Sequence, residues 1–237
     1  MLNMLHWEVF PDEHLGELIT HIAELGVIML MLLAGLELHV DDLAKSSKVA
    51  AISGTLGVVT PMLMGLGVCL LFGMSTRQSI FVGLILAATS VSISAQTLME
   101  LGILRSRVGI ALLGAAVFDD ILVLLALSIF TALVSDVGPT GLTGVIQILL
   151  QMLGYFAISI TIGMKLLPRL ARYADRLPIN QGLYLFTLIV ALVYAWSAEA
   201  LGGIAAITGA FLAGLFLNRI PHRERIIGGV SPIAYTR

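Results

Sequence analysis

The sequence predicts an all-α polytopic membrane protein, and three observations carry that prediction. Of 237 residues, 58% are hydrophobic and 12% charged, with a mean hydropathy of +1.01. A soluble domain is closer to half apolar and a quarter charged. Apolar runs long enough to cross a hydrocarbon core about 30 Å thick recur along the chain. When those runs are threaded back and forth, 12 of the 13 Lys and Arg residues land on one side. Lipid supplies no water for unpaired backbone groups, so each run is read as a helix.

About seven crossings follow in order. The first, 17–38, comes after "MLNMLHWEVFPDEHLG", which reads as an external loop. The first twenty residues hold Glu8, Asp12, Glu13 and Glu17 and lack the basic start of a secretory signal. The second, 48–72, carries Pro61 in its middle, either as a kink or as an accommodated proline. Its single cysteine, Cys69, reads as a small packed apolar residue. The third and fourth are 77–101 and 107–134, and the fifth is 142–167. The sixth and seventh, 181–200 and 203–219, meet at Gly202-Gly203 as a tight hairpin whose second arm is short for a full crossing. That arm repeats small residues at Ala205, Gly209, Ala213 and at Ala206, Ala210, Gly214. This is a helix-packing face, used within the chain or across a dimer.

Orientation follows from the basic residues. Lys45, Lys48, Arg105, Arg107, Lys165, Arg169, Arg172, Arg176, Arg219, Arg223, Arg225 and Arg237 share one side, and Arg77 stands alone on the other. The basic side is therefore cytoplasmic, and the N-terminus of this segment is outside. Net charge is −2, which points to no nucleic-acid partner. An outside start without a signal, and an apolar stretch beginning in "IIGGVSPIAYTR", lead us to expect a piece of a longer protein.

The chemistry concentrates in two stretches. "LLGAAVFDDILVLLAL", 112–127, places Asp119 and Asp120 side by side in an uncharged run. Asp120 lies 13 residues past Arg107, about 20 Å along a helix. One charge at such depth costs about 2.5–3.5 kcal/mol, and two adjacent charges also repel. Either the pair is structural, hydrogen-bonded to neighbouring helices, or it is an ion or proton site. In the preceding run, "LILAATSVSISAQTLMELG", 84–102, four hydroxyls fall in six residues: Thr89, Ser90, Ser92 and Ser94. Ser92 stands 13 residues from Arg105 and so shares the depth of Asp120. A polar interhelical contact is one reading. The other is a locally unwound helix whose hydroxyls and freed carbonyls face a cation, as in transporters built from inverted repeats.

"ATSVSISAQTLMELGIL" followed by "GAAVFDDILVLLAL" resembles the second monovalent cation–proton antiporter family, particularly its NapA/GerN-type bacterial sodium–proton antiporters. "AELGVIMLMLLAGLEL" and "ITGAFLAGLFLNR" fit the same pattern. The resemblance implies part of a sodium/proton-antiporter (NhaA-like) inverted-repeat fold with one interrupted helix, cut from a transporter of twelve or thirteen helices. On this basis 1–237 is one transmembrane domain, with 48–134 as the core ion-site helices and 17–38 and 142–219 as scaffold and dimerisation-side helices. The resemblance makes Asp120 the carboxylate that binds ion and proton, and Asp119 the partner of a lysine from a second repeat. Thr89 and Ser90 match the crossover of the interrupted helix, with Ser92 beside it. The chain's own lysines, Lys45, Lys48 and Lys165, all sit toward the inner side.

The implied function is exchange of protons for Na+, or for K+ or Li+, across a bacterial inner membrane. One carboxylate that cannot hold a proton and a cation together makes the two compete. A lipid bilayer and, at full length, a second copy are the implied partners, with no cofactor. Two alternatives stay open: a glutathione- or nucleotide-gated Kef-type K+ efflux system, and a non-transporting sensor on the same fold. Kef-type relatives usually carry Gln-Asp where this chain carries Asp-Asp. His6, His14, His21, His39 and His222 are scattered and give no metal-ligand pattern, and no nucleophile–base motif or phosphate-binding loop supports an enzyme. Glu199 reads as a solvated outer helix end, and Glu37 with Asp41 and Asp42 as a cytoplasmic rim.

Overall fold

A computed structural model describes residues 13–134, 142–174 and 182–219, and these are built from helices with no strand among them. The apolar runs become α1 (Glu13–Glu37), α2 (Val40–Leu71), α3 (Thr76–Ala87), α4 (Val91–Glu100), α5 (Arg107–Val134) and α6 (Leu142–Lys165). Then come α7 (Leu167–Ala174), α8 (Gly182–Ser197), a π turn at Ala198–Gly202 and α9 (Ala206–Leu217). Six spans, counting Thr76–Glu100 as one, are long and apolar enough to cross a membrane, and α9 is a shorter apolar helix. The expected hairpin is present, and its second arm is indeed short at 12 residues. The N-terminal acidic stretch 1–12, the segment 175–181 and the tail 220–237, with the sequence readings that fall on them, lie outside the described residues.

Local signals set the boundaries. Ser75 starts α3 with a reciprocal box: its hydroxyl accepts from the Gln78 N–H, and the Gln78 side chain accepts from the Ser75 N–H. Such a cap satisfies two of the orphan donors at a helix start. α2 runs unbroken through Pro61. Gly203 takes φ +63, the left-handed conformation that ends the π turn and reverses the chain. The segment 168–180, expected as loop, begins instead with α7. Leu167, Ala171 and Ala174 are its buried residues, recurring every three or four positions as on one helix face. Its arginines turn back onto the chain, Arg169 onto the Lys165 carbonyl and Arg172 onto the Pro168 carbonyl.

The helices fall into two closely packed groups. α5 lies against α2, α3 and α4, while α9 lies against α1 and α8; α6 touches both α5 and α9, and α1 also packs on α4, bridging the groups. α9 is buried over nearly its whole surface, with Phe211, Phe216 and Leu217 at 2% exposure or less. A helix apolar all round belongs in such a core. Its small residues face neighbours within this chain. A Cβ at Gly214 would strike the Leu32 carbonyl of α1, and one at Gly35 would strike the Phe211 carbonyl of α9. Gly209 similarly abuts the Tyr194 carbonyl of α8. Asn218 closes the α1–α9 contact by donating from its side chain to the Leu36 carbonyl. The acidic rim pairs as charge alone predicts, Glu37 with Arg105 at 3.9 Å and Asp41 with Arg219 at 3.8 Å.

Candidate functional site

The crossing expected to be interrupted is interrupted. α3 ends at Ala87 and α4 begins at Val91, with Ala88 and Ser90 extended between them (ψ 106 and 109). Thr89 and Ser90 have hydroxyls rather than apolar groups to offer here, and β-branched Val91 and Ile93 are poor helix formers. The break leaves carbonyls at the end of α3 and N–H groups at the start of α4 without helical partners. Partial charges of opposite sign therefore meet at one place inside the bundle.

Asp119 and Asp120 sit halfway along α5. Thr89 joins the first to the break: its hydroxyl donates to Asp119 Oδ2 at 2.5 Å. Asp119 is 5% exposed, and its other oxygen, Oδ1, is buried without a hydrogen-bond partner among the described residues. A buried acceptor left unpaired costs about 1–3 kcal/mol. Asp120 is half-buried and points elsewhere, its Oδ2 accepting from the hydroxyl of Thr208 on α9 at 3.3 Å. No Lys or Arg side chain is ion-paired with either carboxylate among the described residues.

Asp120 also lines a cavity of about 880 Å³, together with Glu24 and Thr20 of α1, Ala88 of the break, Glu199 of the π turn and the chain entering α9. The cavity is thus reached from the end of the bundle that carries the N-terminal half of α1. A second cavity, about 1100 Å³, lies toward the basic end and is lined by Lys45, Arg105 and Arg107 over Val49, Val108 and Leu112. Asp42 also lines it, but neither Asp119 nor Asp120 does.

Of the five residues expected at the site, Thr89 meets Asp119, whereas Asp120, the chain neighbour of Asp119, faces Thr208 instead. Ser90 and Ser92 do not reach either carboxylate; their hydroxyls pair with each other at 3.1 Å. One residue of hydroxyl spacing at the break turns them to a different side. Thr208 was missed, although it stands 11 residues before Arg219 and so near the depth of Asp120. Glu199, read as a solvated helix end, is exposed but shares the cavity with Asp120. Among the described residues, no three His, Cys, Asp or Glu side chains are grouped to hold a metal.

Comparison with known proteins agrees with this architecture. Residues 4–236 match the family model described as "Sodium/hydrogen exchanger, transmembrane". The chain is 37% identical over 224 residues to the Na(+)/H(+)-K(+) antiporter GerN of Bacillus cereus, covering 93% of this chain and 56% of that protein. It is 36% identical over 220 residues to the high-affinity Na(+)/H(+) antiporter NhaS3 of Synechocystis, covering 92% and 47%. The glutathione-regulated potassium-efflux system protein KefC of Klebsiella aerogenes is more distant, at 27% identity over 225 residues, covering 92% and 35%. The chain spans about half the length of the sodium antiporters it matches. With nearly every residue inside the family match and two helix groups meeting at paired carboxylates, this chain belongs to the transmembrane sodium/hydrogen exchanger family.

Proposed function

We propose that the protein containing this chain is a secondary transporter that exchanges protons for Na+, or for K+ or Li+, at Asp120. The observation that carries the reading is the placement of Asp120: halfway along a spanning helix, lining a cavity, with a hydroxyl rather than a cationic side chain as its partner. A carboxylate at that depth is costly and needs compensation. A proton or a monovalent cation supplies it, and the two exclude each other. Asp119 plays a supporting part: Thr89 ties it to the break, and its unpartnered oxygen is suited to a lysine from the rest of the protein. α2 to α5 then form the ion-site core, and α1, α6, α8 and α9 the scaffold against which it moves, in a homodimer embedded in the bilayer. A relative named as a Na(+)/H(+) antiporter supports sodium as a substrate, and one named as a Na(+)/H(+)-K(+) antiporter keeps potassium beside it. The test is acidification and its collapse in everted vesicles bearing the full-length protein. Adding sodium, potassium or lithium chloride is expected to dissipate the pH gradient with at least one cation. No response to any of the three would overturn exchange and favour a non-transporting sensor, and a response to potassium alone would favour the efflux reading.

The same reading puts the basic face in the cytoplasm of a bacterial cell. In a Cys69→Ala background, single replacements His39→Cys, Ile103→Cys and Tyr173→Cys are expected to resist an impermeant thiol reagent in right-side-out vesicles. Phe72→Cys and Leu201→Cys, at 82% and 59% exposure on the opposite face, should label. The reverse pattern would invert the topology.

A further inference from the structure

We propose that Thr208 is a tie between the two helix groups at the carboxylate itself, added to the α1–α4 packing and the rim ion pairs, that restrains them while Asp120 carries neither proton nor cation and so keeps exchange coupled. The inference rests on the exchange reading above and assigns a role to a residue outside the expected site. Its first support is position. Asp120 belongs to α5, which packs with α2, α3 and α4, whereas Thr208 belongs to α9, which packs with α1 and α8. Their hydrogen bond therefore crosses from one group to the other. Alternating access moves one such group against the other about the binding site, so the bond has to break in every cycle.

The second support is how this threonine departs from its fellows. Thr20, Thr55, Thr97, Thr161 and Thr187 each donate to the carbonyl four residues earlier. That is the ordinary fate of a threonine in a membrane helix. Thr208 lies in the first turn of α9, where the residue four before it, Ile204, is outside the helix. Its hydroxyl is left to serve a distant partner, and at 2% exposure it has no water to turn to.

The third support is chemical. At 3.3 Å the contact is long; an anionic carboxylate draws a hydroxyl in to about 2.5–2.7 Å and binds it roughly twice as strongly as a neutral acceptor does. The tie is thus tightest when Asp120 is unloaded. A proton on the carboxylate, or a cation against it, takes up the charge and loosens the bond. Movement of the unloaded carrier is the step an exchanger must suppress, because it lets one substrate flow without the other.

The test uses the full-length protein in proteoliposomes loaded with labelled sodium. Net efflux into sodium-free medium, with both sides buffered strongly alkaline so that few protons are present to return the carrier, is compared with exchange of labelled for unlabelled sodium. Thr208→Val keeps shape and removes the donor, and is expected to raise the ratio of net efflux to exchange about tenfold, the factor set by one charge-assisted bond. Thr208→Ser, which keeps the hydroxyl, should stay within about twofold of the parent. A Val variant whose two rates fall together at constant ratio, or a Ser variant that behaves like Val, would overturn the tie. A second readout needs no transport. Spin labels at Leu112 on α5 and Leu201 before α9, both exposed, report the spacing of the two groups without sodium. Thr208→Val should enlarge the minor distance population about tenfold, and an unchanged distribution would also overturn the proposal. A parent protein that moves no sodium in either mode would overturn the exchange reading, and the distance measurement would then decide the tie by itself.

Discussion

Asp120→Asn is expected to abolish cation-dependent proton movement by the full-length protein. Asn keeps the volume of the side chain and an oxygen that accepts from Thr208, so the contact between α5 and α9 survives. The negative charge and the titration are what disappear. At 4 Å and an effective dielectric near 20, the lost attraction for a monovalent cation is about 4 kcal/mol, close to a thousandfold in affinity. Proton and cation then no longer compete for one group. Asp119→Asn is expected to be milder. Its oxygen still accepts from Thr89, and the charge it loses is the one we assign to a partner side chain rather than to the transported ion. Both variants are read by pH change in everted vesicles on adding sodium, potassium or lithium. An Asp120→Asn protein that exchanges all three at the parental rate would remove Asp120 from the mechanism.

The largest structural effect is expected at the crossing of α1 and α9. Gly35→Val and Gly214→Val should each strip the preparation of most of its folded protein. The atoms a Cβ would meet are backbone: the Phe211 carbonyl and Leu215 N for Gly35, the Leu32 carbonyl and Leu36 N for Gly214. A side chain can rotate away from an intruder, whereas two helices joined along their length must separate. Overpacking of this kind costs about 3 kcal/mol at the upper end of its usual range, and about 6–12 °C in Tm for a domain of this size. Gly154→Ala is the matched control, since nothing lies within 4 Å of its added carbon. It should leave Tm unchanged or slightly raised, because alanine is the better helix former. Equal Tm values for Gly35→Val and the parent would mean that the two helices do not pack as described.

Where the sequence was legible, one physical quantity dominated. Hydropathy located the spans, because an apolar run of that length has few other stable states. The cost of charge exposed Asp119 and Asp120. Hydroxyl density beside them exposed the break at Thr89. Legibility failed where a residue's role depends on direction rather than type. Ser90 and Ser92 share the composition of Thr89, yet the extended backbone at 88–90 turns them toward each other. Thr208 looks like any membrane threonine until the start of α9 is known to the residue. Glu199 is exposed as a helix end should be, but its place over the cavity of Asp120 depends on a π turn that composition does not announce. α7 was passed over because eight residues with two arginines make a weak hydropathy signal.

The intimate seating of α9 on α1 also bears on how the chain is made. Asn218 and Leu36, joined by a side-chain-to-carbonyl bond, are separated by 182 positions. At synthesis rates of about 5–20 residues per second, α1 enters the bilayer roughly 10–40 s before its principal neighbour exists. During that interval the strip from Met29 to Leu36, destined to be buried, faces lipid or whatever insertion factor shields it. α2 to α5 can assemble meanwhile, because their contacts are between near neighbours in the chain. Biogenesis therefore has a natural order, with α2 to α5 settling early and α1 waiting for α9, so that a ribosome stalled before Ala206 leaves a ready target for membrane quality control.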